Sequence, residues 1–70
     1  MVKIGQKVQF VPIWDENMGY TEQERQKHLV TGTVVYINTK HQYFTAEYGK
    51  HGQRESFKFD QVGERVTICG

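Results

Sequence analysis

The sequence predicts a mainly β protein, in which five short strands curl into one small barrel and a long first loop carries a short helical turn. Apolar and polar residues alternate along most of the chain, as they do in strands with one buried face. Glycines lie where turns are expected, in segments 49–54 and 60–64. Seventy residues allow one domain (1–70) with a thin core, so we expect regular strands and short connections.

The first strand is predicted to end at Pro12. Ile4, Val8 and Phe10 fall on one face of this strand, and we expect all three to point inward. Proline ends the strand because it has no amide proton to donate to the ladder. The first loop, residues 13–29, follows directly.

The second strand, residues 30–38, is apolar on both of its faces. One face carries Val30, Val34 and Tyr36, and the other carries Val35 and Ile37. Gly32 indicates a bend or a bulge, at which a strand can curl and contribute to the core from both sides. The alternation alone leaves the register of this strand open.

The last three strands, YFTAEY, ESFKFD and RVTIC, alternate more regularly. We expect a hairpin at 49–54 and one 3₁₀ turn within 60–64, with Val62 as an apolar plug. The side chains predicted to point inward are Phe44, Ala46, Tyr48, Phe57, Phe59, Val66 and Ile68. We interpret the aromatic stripe as core, because a barrel this small has nothing else large enough to fill it.

The first loop contains the sequence TEQE, which has the form of a helix capping box. The Thr21 hydroxyl is expected to accept a hydrogen bond from the amide of Glu24, and the Glu24 carboxylate one from the amide of Thr21. Glu22 in the first turn and Lys27 in the last agree with the helix dipole. Because the helix is short and has no apolar stripe, a mobile polar loop is the alternative.

The segments KIGQKVQF, TGTVVYIN, YFTAEY and ESFKFDQVGERV, in this order, resemble the SH3-like barrels, a group that includes Tudor and KOW modules. They cover nearly all of the chain outside the first loop. The same segments also resemble small uncharacterised proteins of phages and prophages of Gram-positive bacteria, which implies a phage or prophage setting. In SH3-like modules the first loop and the third-strand hairpin border the usual ligand groove, so the resemblance implies a site near Trp14, Tyr20 and Tyr43.

We expect a binding module and not an enzyme, since no nucleophile with an adjacent base can be read in the sequence. The leading hypothesis is that the first loop binds another protein, either a phage component or a host enzyme, because a barrel does not need so large a charged loop for stability. The residues predicted to form this site are Trp14, Asp15, Glu16, Tyr20, Arg25 and Tyr43.

Two alternatives concern the same aromatic residues. Trp14 and Tyr20 would fold back and cap one end of the barrel, as buried aromatic residues often do in a minimal core. An aromatic cage for a methylated lysine would use Trp14 and Tyr20 together with Asp15 and Glu16, although the spacing of these residues gives it no support.

The charge distribution supplies a second hypothesis for function. The net charge is +1, but residues 12–29 hold four acidic against two basic side chains, and the rest of the chain carries a net charge of +3. A basic face that includes a stacking tyrosine is typical of nucleic-acid binding. The residues predicted for this alternative are Lys7, Lys40, Tyr43, Arg54 and Lys58.

No metal, cofactor or membrane segment is expected. The three histidines and Cys69 lack the spacing of metal ligands. The N-terminal MVKIGQKVQF has no apolar run long enough for a signal peptide or a membrane span, and a single cysteine fits a reducing cytoplasm. We therefore expect a cytoplasmic protein, either a monomer or a weak homodimer paired through an open strand edge.

Overall fold

Five antiparallel strands form one sheet in the order β4–β3–β2–β1–β5, and the sheet curls into a half-barrel that is compatible with an SH3-like barrel. A computed structural model describes residues 2–16 and 18–69. Its elements in chain order are β1 (Lys7–Phe10), α1 (Ile13–Glu16), α2 (Glu22–Lys27), β2 (Val30–Asn38), β3 (Tyr43–Tyr48), β4 (Gln53–Lys58), a 3₁₀ turn (Phe59–Gln61) and β5 (Val66–Ile68). The prediction of a mainly β fold is confirmed. Neither α1 nor α2 is long or apolar enough to cross a membrane, and the same holds for every helix in the described part of the chain.

The concave face of the sheet holds the core, and the aromatic residues fill it. The Phe10 ring contacts Tyr48 edge-on at 5.1 Å between ring centroids and Phe57 at 4.9 Å. Phe44 is fully buried beside Phe57, and Phe59 is partly buried against the same cluster. The aromatic stripe is therefore core, as the alternation predicts.

The 3₁₀ turn closes one end of this core. It begins one residue earlier than the predicted segment, at Phe59, and the Gln61 side chain caps it by accepting a hydrogen bond from the amide of Lys58 at 2.8 Å. Val62 packs against the core as the predicted apolar plug. The turn thus contributes two apolar side chains to a core that the strands alone leave open.

The prediction for Ile4 is wrong, since its side chain is 62% exposed. The strand begins only at Lys7, and the residues before it form a turn in which the amide of Gln6 bonds to the carbonyl of Lys3. A turn breaks the two-residue period, so the alternation cannot be extended back to Ile4. Val2 is buried in its place.

A β-bulge at Val35 settles the register of β2. Val34 pairs with Ala46, but the next pair joins Tyr36 to Thr45, so Val35 is an extra residue on its strand. The alternation therefore changes sides: Val34 is buried before the bulge, whereas Tyr36 is exposed after it. Beyond the bulge Ile37 packs against the core. Residues from both alternating sets of the strand, Val34 from one and Ile37 from the other, therefore contribute to the core, as predicted.

Gly32 is not the site of the bulge. A Cβ atom at this position would lie 3.1 Å from Cε1 of Phe10, 3.1 Å from the carbonyl oxygen of Glu47 and 3.3 Å from Cβ of Ala46. The backbone of β2 can approach its neighbours here because glycine has no side chain. The glycine is thus a packing requirement of the core.

We expect the substitution Gly32→Ala to lower the free energy of unfolding by a net ~1 kcal/mol, measured by urea denaturation. Overpacking a tight core costs about 1–3 kcal/mol, and the reduced freedom of the unfolded chain returns only about 0.4–1 kcal/mol. Thr31→Val keeps a β-branched side chain at an exposed position of the same strand and loses only a 3.5 Å hydrogen bond from Gln9, so it serves as the control and should change stability by less than about 0.5 kcal/mol. Equal stability of both variants would contradict the tight packing around Gly32.

Candidate binding site

A part-buried ion pair between Glu55 and Arg65 fixes the beginning of the first loop. The Glu55 carboxylate on β4 accepts hydrogen bonds from the amide of Ile13 and from Nη2 of Arg65, both at 2.9 Å. The same Arg65 nitrogen donates to the carbonyl of Val11 at 3.0 Å, and the guanidinium lies 5.2 Å from the centre of the Phe57 ring. The Glu55 side chain is 8% exposed. Three separate parts of the chain are thereby joined where the loop leaves the sheet.

The sequence contains one signal for this ion pair, an acidic residue at an inward position of β4. Glu55 has the same parity in β4 as the inward-pointing Phe57. A carboxylate at an inward position needs a partner, because an unpaired buried charge is very costly. That signal indicates an ion pair, but it does not identify Arg65 as the partner.

Trp14 is exposed and yet held in place. Its ring is 66% exposed, while its indole N–H donates a hydrogen bond to the hydroxyl of Tyr48 at 3.2 Å. Ile13 and Met18, on either side of it in the sequence, are also largely exposed. Three of the five large exposed apolar side chains in the described residues thus lie within one six-residue stretch, which we call the Trp14 surface: Ile13, Trp14 and Met18.

The carboxylate of Asp15 organises the middle of the first loop. One oxygen accepts a hydrogen bond from the Tyr20 hydroxyl at 2.9 Å, and the other lies 3.1 Å from Nδ1 of His28. The rings of Tyr20 and His28 stack with their centroids 4.1 Å apart and 11° between their planes. The hydrogen bond to Asp15 raises the pKa of Tyr20, because the carboxylate favours the protonated phenol. The contacts among Asp15, Tyr20 and His28 thus order the first loop, in contrast to the alternative of an unstructured polar loop.

The predicted capping box is present at the start of α2. The Thr21 hydroxyl accepts from the amide of Glu24 at 3.3 Å, and a Glu24 carboxylate oxygen accepts from the amide of Thr21 at 3.0 Å. Hydrogen bonding of the Glu24 carboxylate with the backbone amide of Thr21, and next with the Thr21 side chain, lowers the pKa of Glu24, because it stabilises the charged form. No described residue of α2 is buried, so caps and polar contacts hold this helix in place of apolar packing.

The structure brings together only some of the residues predicted for the protein-binding site. Trp14, Asp15 and Tyr20 lie close together, and Arg25 is on the adjacent helix α2. The backbone of Glu16 belongs to α1, and its side chain is outside the described part.

Tyr43 lies apart from this group. It begins β3, whereas Tyr48, the partner of Trp14, ends that strand, and five residues of strand span ~17 Å. Trp14 also does not cap the barrel end by burial, since most of its surface is exposed. Two of the residues named for the methyl-lysine cage are already engaged, because the Asp15 carboxylate is shared by Tyr20 and His28 and one face of the Tyr20 ring is covered by His28.

The residues predicted for nucleic-acid binding divide into two groups. Lys7 donates to the hydroxyl of Thr33 at 2.7 Å, and Arg54 forms an exposed ion pair with Glu47 at 3.2 Å. These two cations lie in one cross-strand row, Lys7–Thr33–Glu47–Arg54. Tyr43 and Lys58 face each other directly at the opposite end of the β3–β4 ladder, and Lys40 is in the turn before β3. Within residues 2–16 and 18–69, no three histidine, cysteine or acidic side chains are placed to hold a metal ion.

We expect Glu55→Ala to lower the free energy of unfolding by about 2 kcal/mol in chemical denaturation, because hydrogen bonds to charged groups contribute about 1.5–3 kcal/mol. The amide of Ile13 and the guanidinium of Arg65 each lose a hydrogen bond to the Glu55 carboxylate. The control is Glu47→Ala, which breaks an exposed pair on the same sheet and should cost less than about 1 kcal/mol. Similar losses in the two variants would show that the Glu55 pair does not anchor the loop.

The lowered pKa of Glu24 predicts that the order of α2 depends on pH. A carboxyl group whose folded pKa is depressed stabilises the folded form above its ordinary value of 4.5, and this stabilisation is lost as pH falls through the depressed value. We expect the amide signals of Thr21 and Glu24 to move toward unstructured positions in NMR spectra as pH falls below about 4.5. Glu24→Gln keeps an acceptor at this position and should remove the transition. If the transition persisted in Glu24→Gln, the capping carboxylate would not be its cause.

Comparison of the chain with models of protein families, with characterised proteins and with solved structures gave no match.

Proposed function

We propose that the protein is a small non-enzymatic module that binds another protein through the Trp14 surface. The observation that supports this most directly is that Trp14 is 66% exposed while its indole N–H is bonded to Tyr48. Tryptophan is among the residues that most often dominate the free energy of protein–protein binding. A side chain that is already fixed loses little conformational entropy on binding, so more of its contact energy contributes to affinity.

The surroundings of Trp14 support the same proposal. The ion pair of Glu55 fixes the backbone on one side, and the cluster around Asp15 fixes it on the other. Residues 12–29 carry a net charge of −2 from their aspartate, glutamate, arginine and lysine side chains. We therefore propose a partner with an apolar recess and basic groups around it, since charge complementarity at the rim speeds association.

The finer assignments belong to this proposal as well. We propose an SH3-like barrel on the strand order and on the position of the long loop between β1 and β2. The similarity of its segments to small phage and prophage proteins supports a phage component or a host enzyme as the partner, and the single cysteine supports a cytoplasmic location. In an SH3-like module the first loop borders the ligand groove, which agrees with a role for the Trp14 surface.

We expect Trp14→Ala to abolish capture of a specific partner by the immobilised protein, with Ile4→Ala as the matched control. Both positions carry large exposed apolar side chains, at 66% and 62%, but Ile4 lies outside the first loop. For the purified partner, truncation of a dominant tryptophan should raise the dissociation constant by at least about 30-fold, equivalent to ~2 kcal/mol.

Spectra of the two variants show whether each is folded before binding is compared. If Trp14→Ala and Ile4→Ala retained the same partners with the affinity of the parent protein, the Trp14 surface would not be the binding site.

A further inference from the structure

The outer face of the sheet carries a second aromatic group, formed by the exposed Tyr36 and the half-buried Tyr43. The rings of Tyr36 and Tyr43 lie with their centroids 5.9 Å apart and their planes inclined by 50°. Tyr36 is 47% exposed, and its hydroxyl accepts a hydrogen bond from the side-chain amide of Asn38 at 3.3 Å. Two tyrosine rings are therefore held together at the surface, away from the core and from the Trp14 surface.

The bulge at Val35 creates this arrangement. Because it turns Tyr36 outward, Tyr36 joins the cross-strand row Tyr36–Thr45–Ser56, next to the row Asn38–Tyr43–Lys58. The hydroxyls of Thr45 and Ser56 are hydrogen-bonded at 2.7 Å. We call these two rows the tyrosine platform. Bulges often occur next to functional sites, where they re-aim a side chain.

A shallow groove of about 310 Å³ opens beside the platform, and its lining contains no carboxylate. Its lining residues are His41, Tyr43, Ser56, Phe57, Lys58 and Gln61. Lys40 is in the turn next to it, and Asp60 lines a neighbouring groove that shares Lys58. The local charge is therefore positive or neutral within the groove itself, in contrast to the acidic first loop.

We propose that the tyrosine platform binds a short stretch of single-stranded nucleic acid. Two bases stack on Tyr36 and Tyr43, and the phosphate that links them and one flanking phosphate lie toward Lys58 and Lys40. Stacking on aromatic rings beside a positively charged groove is how proteins bind single strands without sequence preference. A protein ligand is less well matched, because the two rows carry polar side chains and no large aliphatic residue around the rings.

The cations at the other end of the sheet are not part of this site. Arg54 is paired with Glu47, whose charge would repel a phosphate, and Lys7 is bonded to Thr33. The site therefore reaches about two nucleotides and uses about two phosphate contacts. Since single strands give a slope of about −0.7 per contact, log K against log salt concentration should have a slope of only about −1.4.

The test is an NMR titration of the whole protein with single-stranded octamers of thymidylate and of uridylate at about 50 mM salt, where phosphate contacts are strong. We expect amide shifts at Tyr36, Tyr43 and Lys58. Tyr43→Ala should weaken binding by about 5-fold to 150-fold, the range for losing one stacked base, whereas Tyr43→Phe retains the ring and should bind as the parent does. Lys58→Gln should reduce the salt slope by about 0.7.

The matched control is Lys7→Gln, which removes the same charge from the same face of the sheet and should leave binding and its salt slope unchanged. Lys58→Gln changes an exposed side chain, so it remains informative even if Tyr43→Ala fails to fold. Absence of shifts at saturating oligonucleotide, shifts confined to the Lys7–Arg54 row, or equal effects of Lys7→Gln and Lys58→Gln would each overturn the proposal. The proposal would also be overturned if the protein bound no oligonucleotide and Tyr43→Ala abolished capture of the Trp14-dependent protein partner. The platform would then belong to that protein interface.

Discussion

The β-bulge at Val35 determines how one thin sheet can have both a filled core and a pair of tyrosines on its outer face. Before the bulge, Gly32 and Val34 lie on the core side of β2, and after it Ile37 lies on the core side. Without the extra residue the pairing would continue in step, and Tyr36 would point toward the core while Ile37 pointed into water. The single inserted residue thus places an aliphatic side chain in the core and a tyrosine at the surface.

The core is completed by polar contacts at the point where the first loop leaves the sheet. A chain of 70 residues buries too little apolar surface to order a 17-residue loop by packing alone. Glu55 instead accepts a hydrogen bond from the amide of Ile13. Its ion-pair partner Arg65 donates a hydrogen bond to the carbonyl of Val11. Such pairs contribute less to stability than apolar packing of the same volume, but they define a position, because both charges must be satisfied at once. Because the backbone next to Trp14 is fixed in this way, the position of Trp14 is fixed as well.

The sequence predicts the regular part of the fold well, and it fails where three-dimensional contacts override the local pattern. Phe44, Ala46 and Phe57 are buried as the alternation requires, and the capping box at Thr21 forms because all of its atoms come from four consecutive residues.

The failures at Ile4 and Gly32 have a different cause. Ile4 is exposed because a turn precedes the strand, and Gly32 responds to Phe10 and Ala46, which are remote in sequence. For the candidate site, the sequence identifies Trp14 and Tyr20, but it groups them with Tyr43, because it does not show which end of β3 the first loop meets.

The two candidate surfaces differ in how their order is maintained. The tyrosine platform lies directly on the sheet, so it persists as long as the core is folded. The first loop depends on hydrogen bonds and charges, and α2 has no buried side chain among its described residues. Regions with few buried apolar contacts open locally at a much lower cost than global unfolding. The Tyr20–His28 stack and the α2 cap can therefore open while the sheet remains folded, whereas Trp14 is tied to Tyr48 and to the Glu55 anchor and stays with the sheet. A partner that contacts only the Trp14 surface can bind while the rest of the loop is open. A partner that also contacts α2 can bind only the closed form of the loop.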